Sequence, residues 1–378
     1  MLPRLYFFSL PVHAACTSLG AMATCATRSA SRRARVAEAV ASRGAAAVAT
    51  GPLGALSHDE LGVIVDGLAD PLQPVVAVAL SSTCKGLRTP LRAALELLQE
   101  RHGRAVALCS KVGATCAGLS EAQALRVSSA GLNADDMATL GMILRTSGLP
   151  RLVVLDLMNN SFGEAGMKSL CEGLGSGGAP ELRVLMLGQQ LGTPTVGPSG
   201  TIFLDHGNVE FGPAGAEALA DVLHRSALPQ LSGLSLAGAH VGSRGLTALA
   251  APLRKLPALR WLSLNFCEIG DEGVASLVGD LGKDDFKELN QLHLSANKIT
   301  DTGMAKLAGA IDAGGMPKLV DQPDGAEGSF VSSVNLLASA PAVQAVRDAL
   351  AKRHGAPLML RELILFNPDG LWSNTVGV

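Results

Sequence analysis

Residues that could do chemistry are thinly spread along this chain. Its 378 residues include seven cysteines, Cys16, Cys25, Cys84, Cys109, Cys116, Cys171 and Cys267, and eight histidines. The cysteines are odd in number, scattered, and never paired as CxxC, which argues against a zinc site or disulfide scaffold and for reduced, buried thiols. Asp205-His206 joins an acid to a base, but no nucleophile stands beside it. The phosphate-cradling GxxxxGK[ST], the nucleophile elbow GxSxG, the metal-binding HExxH and a GxGxxG between strand and helix are all missing. These observations predict no enzyme, no cofactor and no metal site. A formal net charge of −2 gives no electrostatic case for nucleic acid.

What stands at fixed spacing is leucine. The clearest stretch is 289–311, LNQLHLSANKITDTGMAKLAGAI. Leu289, Leu292 and Leu294 lead through a short period-2 run to Asn297 and Ile299. Gly303, Met304, Leu307 and Ile311 then recur at helical spacing, so a strand, a turn and a helix follow one another. Such a unit cannot bury its apolar side alone and needs neighbours of its own kind. Copies begin at Leu152, Leu182, Leu231 and Leu259, with a degenerate one over Leu125, Val127, Leu132, Leu140 and Leu144. Another begins at Val331, and Leu360, Leu363 and Leu365 read as a last strand. Eight strands are expected, at a repeat of roughly 28 to 30 residues interrupted by two insertions.

The pattern LxxLxLxxN/CxL resembles the leucine-rich repeat family in its ribonuclease-inhibitor-like class, over about 122–368. The resemblance implies an α/β leucine-rich-repeat solenoid, with a curved parallel sheet inside and helices outside. It also implies that the motif's polar position hydrogen-bonds the turn backbone. That position holds Asn160, Gln190, Ala239, Cys267 and Asn297, and Ala239 departs from it. Glycine at the helix start (Gly166, Gly215, Gly245, Gly273, Gly303) would let neighbouring backbones approach closely.

Ahead of the repeats, 51–121 reads as a helical cap segment. Asp59 to Leu68 has one apolar face, Val75 to Leu87 forms a second helix, and Thr89-Pro90 starts a long one ending near Gly113. Residues 56–88 resemble an F-box at Leu56, Glu60-Leu61, Val65, Leu68, Leu72, Cys84-Lys85 and Arg88. Ser57 and Leu87 depart from that family's proline and aromatic. The resemblance implies docking to the adaptor of a cullin-type ubiquitin ligase through Leu56, Leu61, Val65, Leu68 and Cys84. Residues 1–50, rich in Arg and Ser and without an acid before Glu38, read as a disordered or targeting segment. A cytoplasmic or nuclear location is expected, with organelle targeting or secretion by residues 1–35 as the alternative. No stretch is apolar for long enough to span a membrane.

The elements that would position a binding site are the strands, whose side chains alternate between the core and the concave face. Met158, Met186, Trp261, Asn265, Gln291, His293 and Ser295 fall on that face, with Trp261 as the anchor for a protein or peptide ligand. The insertion near 190–210, rich in Gly, Pro and Thr, and the one near 320–330 are expected as surface loops. A monomeric, non-catalytic interaction module is the main expectation, with a substrate receptor for the ligase as a sub-reading. The alternative is a GTPase-activating regulator of a small Ran-type GTPase, since those proteins share this repeat class.

Overall fold

A computed structural model describes residues 63–64, 68–82, 91–188, 195–196, 202–203, 211–320 and 338–354. The chain divides into two compact units, 1–106 and 107–378. In the first, Val63, Ile64 and Leu68 are helical, followed by α1 (Val75–Ser82). Ala69, Ala77 and Leu98 form a small buried cluster with Leu68 packed against it. His102 Nδ1 lies 2.7 Å from the carbonyl of Pro71. Helix α2 (Arg92–Lys111) gives its last turn to the second unit. The expected stop is there, with Gly113 at φ 68°.

The second unit is built of repeated strand–helix pairs. After α3 (Cys116–Ser120) come β1 (Ala124–Arg126), α4 (Ala134–Thr146), β2 (Val154–Asp156), α5 (Gly163–Gly175) and β3 (Val184–Met186). The short pair β4 (Thr195–Val196) and β5 (Ile202–Phe203) precedes α6 (Gly212–His224) and β6 (Gly233–Ser235). Next are α7 (Gly242–Arg254), β7 (Trp261–Ser263), α8 (Asp271–Val278), β8 (Gln291–His293) and α9 (Asp301–Asp312). Helix α10 (Ala340–His354) packs on α9. The six long-range strands form one parallel sheet in the order β1-β2-β3-β6-β7-β8. Each strand returns through a helix, as parallel pairing requires. The central residues Leu125, Leu155, Leu185, Leu234, Leu262 and Leu292 stand in register and are buried. Two residues on, Val127, Leu157, Leu187, Leu236, Leu264 and Leu294 repeat the pattern.

The turns after β2 and β8 confirm the role of the polar position, while Gln190 lies outside the described residues. Asn160 Nδ2 donates to the carbonyls of Val127, Leu157 and Met158, and its Oδ1 accepts from the Leu132 amide. Asn297 repeats this, donating to Leu264, Leu294 and Ser295 and accepting from Cys267 and Ile269. Cys267 makes the weaker version, its Sγ donating to the Leu236 carbonyl at 3.0 Å. At Ala239 only backbone bonds remain, its amide donating to the Leu236 carbonyl at 3.1 Å.

Close approach explains the glycine at the helix starts. A Cβ on Gly303 would fall 2.4 Å from Asp271 Oδ1, on the neighbouring helix.

The insertion near 190–210 was expected as a loop, but it contains the antiparallel pair β4–β5. The repeat resumes at Phe211, whose ring stacks on Phe162 with centroids 6.5 Å apart. The strands expected at Val331 and Leu360 lie outside the described residues. The helical half of the Val331 unit is α10. It is bound by Asp301, whose carboxylate accepts from the Ser339 amide and hydroxyl, and Arg353 donates to the Met316 and Ile311 carbonyls.

Candidate functional site: the concave face of the sheet

The side chains opposite the inward leucines form two kinds of row. The first row reads Val154, Val184, Gly233, Trp261 and Gln291 in strand register. All are half-buried except Gly233, which is buried. The absence of a side chain at Gly233 matters. A Cβ there would lie 3.2 Å from Trp261 Cε3 and 3.7 Å from Val184 Cγ2, so the indole and the valine close over the glycine from either side. Val154, Val184 and Trp261 thus make one apolar strip.

The second row reads Arg126, Asp156, Met186, Ser235, Ser263 and His293. Arg126 is exposed and Met186 half-buried. Asp156, Ser235, Ser263 and His293 are buried although they face away from the leucines. Neighbouring parallel strands stand about 4.8 Å apart, so the larger side chains of the first row shade this one. Trp261 meets His293 edge-on, with ring centroids 6.2 Å apart and planes at 66°. His293 is therefore not the outward residue its register implied. It is 5 % exposed, its Nδ1 has no hydrogen-bond partner, and burial pushes its pKa below the usual imidazole value. Beyond these rows, Met158, Asn265 and Ser295 are half-buried. Asn265 Oδ1 accepts from the Ser295 amide at 2.8 Å, which commits both to holding the surface together.

The seven residues expected at the site thus come together on one face, but unequally. Trp261, Met186 and Met158 present apolar surface, Gln291 edges it, Asn265 and Ser295 bond each other, and His293 lies beneath Trp261. Sequence reading also puts Val154 and Val184 on the concave face but not among the binding residues; their register beside Trp261 across Gly233 is what joins them to the strip.

Burial pushes the Cys171 and Cys267 thiols up to about 12, so neither is a nucleophile near neutral pH. Among the described residues no group of three or more His, Cys, Asp or Glu is placed to hold a metal. No described helix is long and apolar enough to cross a membrane. On the helical side, the short α8 leaves an open cleft of about 490 Å³ against α9, lined by Ala275, Val278, Lys306 and Ala310. Of the adaptor-docking residues, Leu56, Leu61, Val65 and Cys84 lie outside the described residues. Leu68 is half-buried against Ala69, Ala77 and Leu98.

Comparison with family models adds the deciding observation. Residues 150–171, 256–278 and 289–308 each match the leucine-rich repeat model. The fold is a leucine-rich-repeat solenoid. The matched segments carry β2, β7 and β8, which include Val154 and Trp261 of the apolar strip. A comparison with curated proteins gives no match.

Proposed function

We propose that this leucine-rich repeat protein is a non-catalytic binding module that holds an apolar segment of a protein or peptide across its concave face. One observation carries the reading. Val154, Val184 and Trp261 lie in register as a continuous strip, with Met186 and Met158 beside it, all half-buried while the leucines behind them fill the core. Apolar strips on a rigid sheet suit side-chain anchors, and Trp supplies large contact area at low entropic cost. The thioethers of Met158 and Met186 adapt to irregular partners. Arg126 is the one charged residue exposed on the second row, so specificity toward a strongly charged ligand is not favoured.

The test is selection of a random peptide library on the immobilised protein. Enriched peptides should carry apolar anchors, and Trp261→Ala should weaken them about tenfold or more without lowering the unfolding temperature greatly. Peptides that bind wild type and Trp261→Ala equally would refute the placement.

A second reading concerns the first unit. The F-box-like pattern at 56–88 would make it a docking module for a ubiquitin-ligase adaptor and the repeats a substrate receptor. Val63, Val75 and Val76 favour this, since they expose 56 %, 69 % and 54 % of their surface in a segment of only moderate size. Pull-down with the adaptor tests it. Retention by the intact protein and loss on Val75→Asp support it, while no retention by the intact protein sinks it. The GTPase-activating alternative rests on shared repeat class alone.

A further inference from the structure

Trp261 is the largest member of the apolar strip, and the ring packed against it is titratable. His293 stands in strand register with Ser263, and its imidazole meets the indole edge-on, with centroids 6.2 Å apart and planes at 66°. His293 is 5 % exposed, and its buried Nδ1 has no hydrogen-bond partner. Toward β6 the indole closes over Gly233, where a Cβ would lie 3.2 Å from Cε3. Trp261 therefore rests between a bare stretch of backbone and an imidazole. The surroundings offer nothing to a positive charge. On β7 the neighbours on this face are Trp261 and Ser263, followed by Asn265, which is engaged by the Ser295 amide. On β8 they are Gln291 and Ser295, and β6 adds Gly233 and Ser235. Asp156, the carboxylate of the second row, is four strand steps away, about 19 Å. Off the rows, Arg260 is exposed, Glu268 is paired with Lys298 and Glu288 with Lys318. Asp321, Asp324 and Glu327, further along the chain, lie outside the described residues.

An imidazolium in this place would carry an N–H at Nδ1 with no acceptor and a charge with no counter-ion, which is costly for a buried group. Attraction to the indole face does not offset that cost, because it needs the cation within about 6 Å of the ring, and the two centroids stand 6.2 Å apart. The protonated ring is favoured only where water reaches it, and the present seat of Trp261 denies it water. We propose that the concave face is gated by pH: protonation of His293 unseats Trp261 and lowers the affinity of the apolar strip for its partner. The inference rests on the concave-face reading given above. Burial holds the seated imidazole below the ordinary histidine value, so it is neutral at neutral pH. Once unseated, the ring takes its proton near the ordinary value of about 6.5, so acid draws the molecule toward the unseated state. A partner that needs Trp261 in its seat binds only the neutral fraction. Apparent affinity then falls with that fraction, by at most about tenfold per pH unit for one proton.

The experiment uses the full chain carrying Trp372→Phe, which leaves Trp261 as its one tryptophan. Acrylamide quenching of Trp261 fluorescence should rise about twofold or more between about pH 7.5 and about pH 5.5, with the far-UV circular dichroism unchanged. With His293→Gln, or with His293→Leu as a second neutral replacement, quenching should stay level. The binding arm uses peptides enriched on the immobilised protein at about pH 7.5 that carry no His, Asp or Glu. Over the same range their affinity should fall about threefold or more, and by less than about 1.5-fold with either replacement. Quenching that ignores pH, as it would if an acid paired the imidazolium, overturns the inference. So does an equal rise in quenching with both replacements, or a rise that comes only with loss of the helical signal. Peptides that keep their affinity in acid while Trp261→Ala weakens them overturn it too. Peptides indifferent to Trp261→Ala, with quenching still governed by His293, instead sink the concave-face reading and with it the effect on affinity.

Discussion

At the residue scale, the clearest contrast is among the side chains of the turn position. Asn160 and Asn297 each satisfy several buried backbone groups, whereas Cys267 offers one weak donor and Ala239 none. Asn297→Ala would strand the amides of Cys267 and Ile269 and three carbonyls, and should cost about 3 kcal/mol in urea unfolding. Cys267→Ala should cost about 1 kcal/mol, since it removes one sulfur bond and little volume. His293 gives a pH signature. Burial lowers its folded pKa, so the unfolded chain binds more protons once pH drops below the ordinary histidine value of about 6.5. Stability should therefore fall as pH moves from there down through the depressed folded value, and be level above. Thermal unfolding between about pH 7.5 and about pH 5.5 should show a larger loss in wild type than in His293→Gln. The asparagines and leucines were legible in the sequence because the repeat fixes their place. The burial of His293 was not, because alternation assigns a face but not how far a Trp on the next strand shades it.

At the element scale, the starts of α8, α9 and α10 are each held by the helix before. Ser243 Oγ accepts from the Gly270 amide, Asp271 from the Thr300 amide and hydroxyl and from the Gly303 amide, and Asp301 from Ser339. A carboxylate at a helix N-terminus satisfies free amides and complements the helix dipole. Gly303→Ala would push a methyl into Asp271 Oδ1 and should cost about 2 kcal/mol, measured by chemical denaturation. In an Asp271→Ala background the added cost should shrink, because the clashing carboxylate is gone; equal costs in both backgrounds would place the strain elsewhere. The strands, the helices and the glycines were readable from spacing alone. The caps that α8, α9 and α10 take from the preceding helix were not, since those partners stand a whole repeat away and ordinary capping signatures look only a few residues ahead.

At the scale of the molecule, each repeat touches its sequence neighbours: α4 packs on α5, α5 on α6, and so on to α9 on α10. Stability in such an array is carried by units and nearest-neighbour interfaces, so damage should stay near its origin. This linear order was legible, because the same leucine spacing recurs from Leu152 to Leu289. The insertion lengthens the third unit but does not hide where it resumes, since Phe211-Gly212 and Gly215 repeat the spacing of Phe162-Gly163 and Gly166. Two substitutions separate local from global damage. Leu350 on α10 is 1 % exposed, and Leu350→Ala should cost about 3 kcal/mol at one end. Leu234 on β6 is fully buried near the middle of the sheet, and Leu234→Ala should cost about as much there. Amide hydrogen exchange distinguishes the outcomes. In Leu350→Ala protection should drop in α9 and α10 while β2 and α5 keep theirs. In Leu234→Ala it should drop on both sides of β6, in α6 and α7, and Trp261 should lose its support across Gly233. A uniform rise in exchange from the Leu350→Ala substitution would mean that the repeats unfold as one block, and the concave strip would then depend on every repeat rather than on β2, β3 and β7.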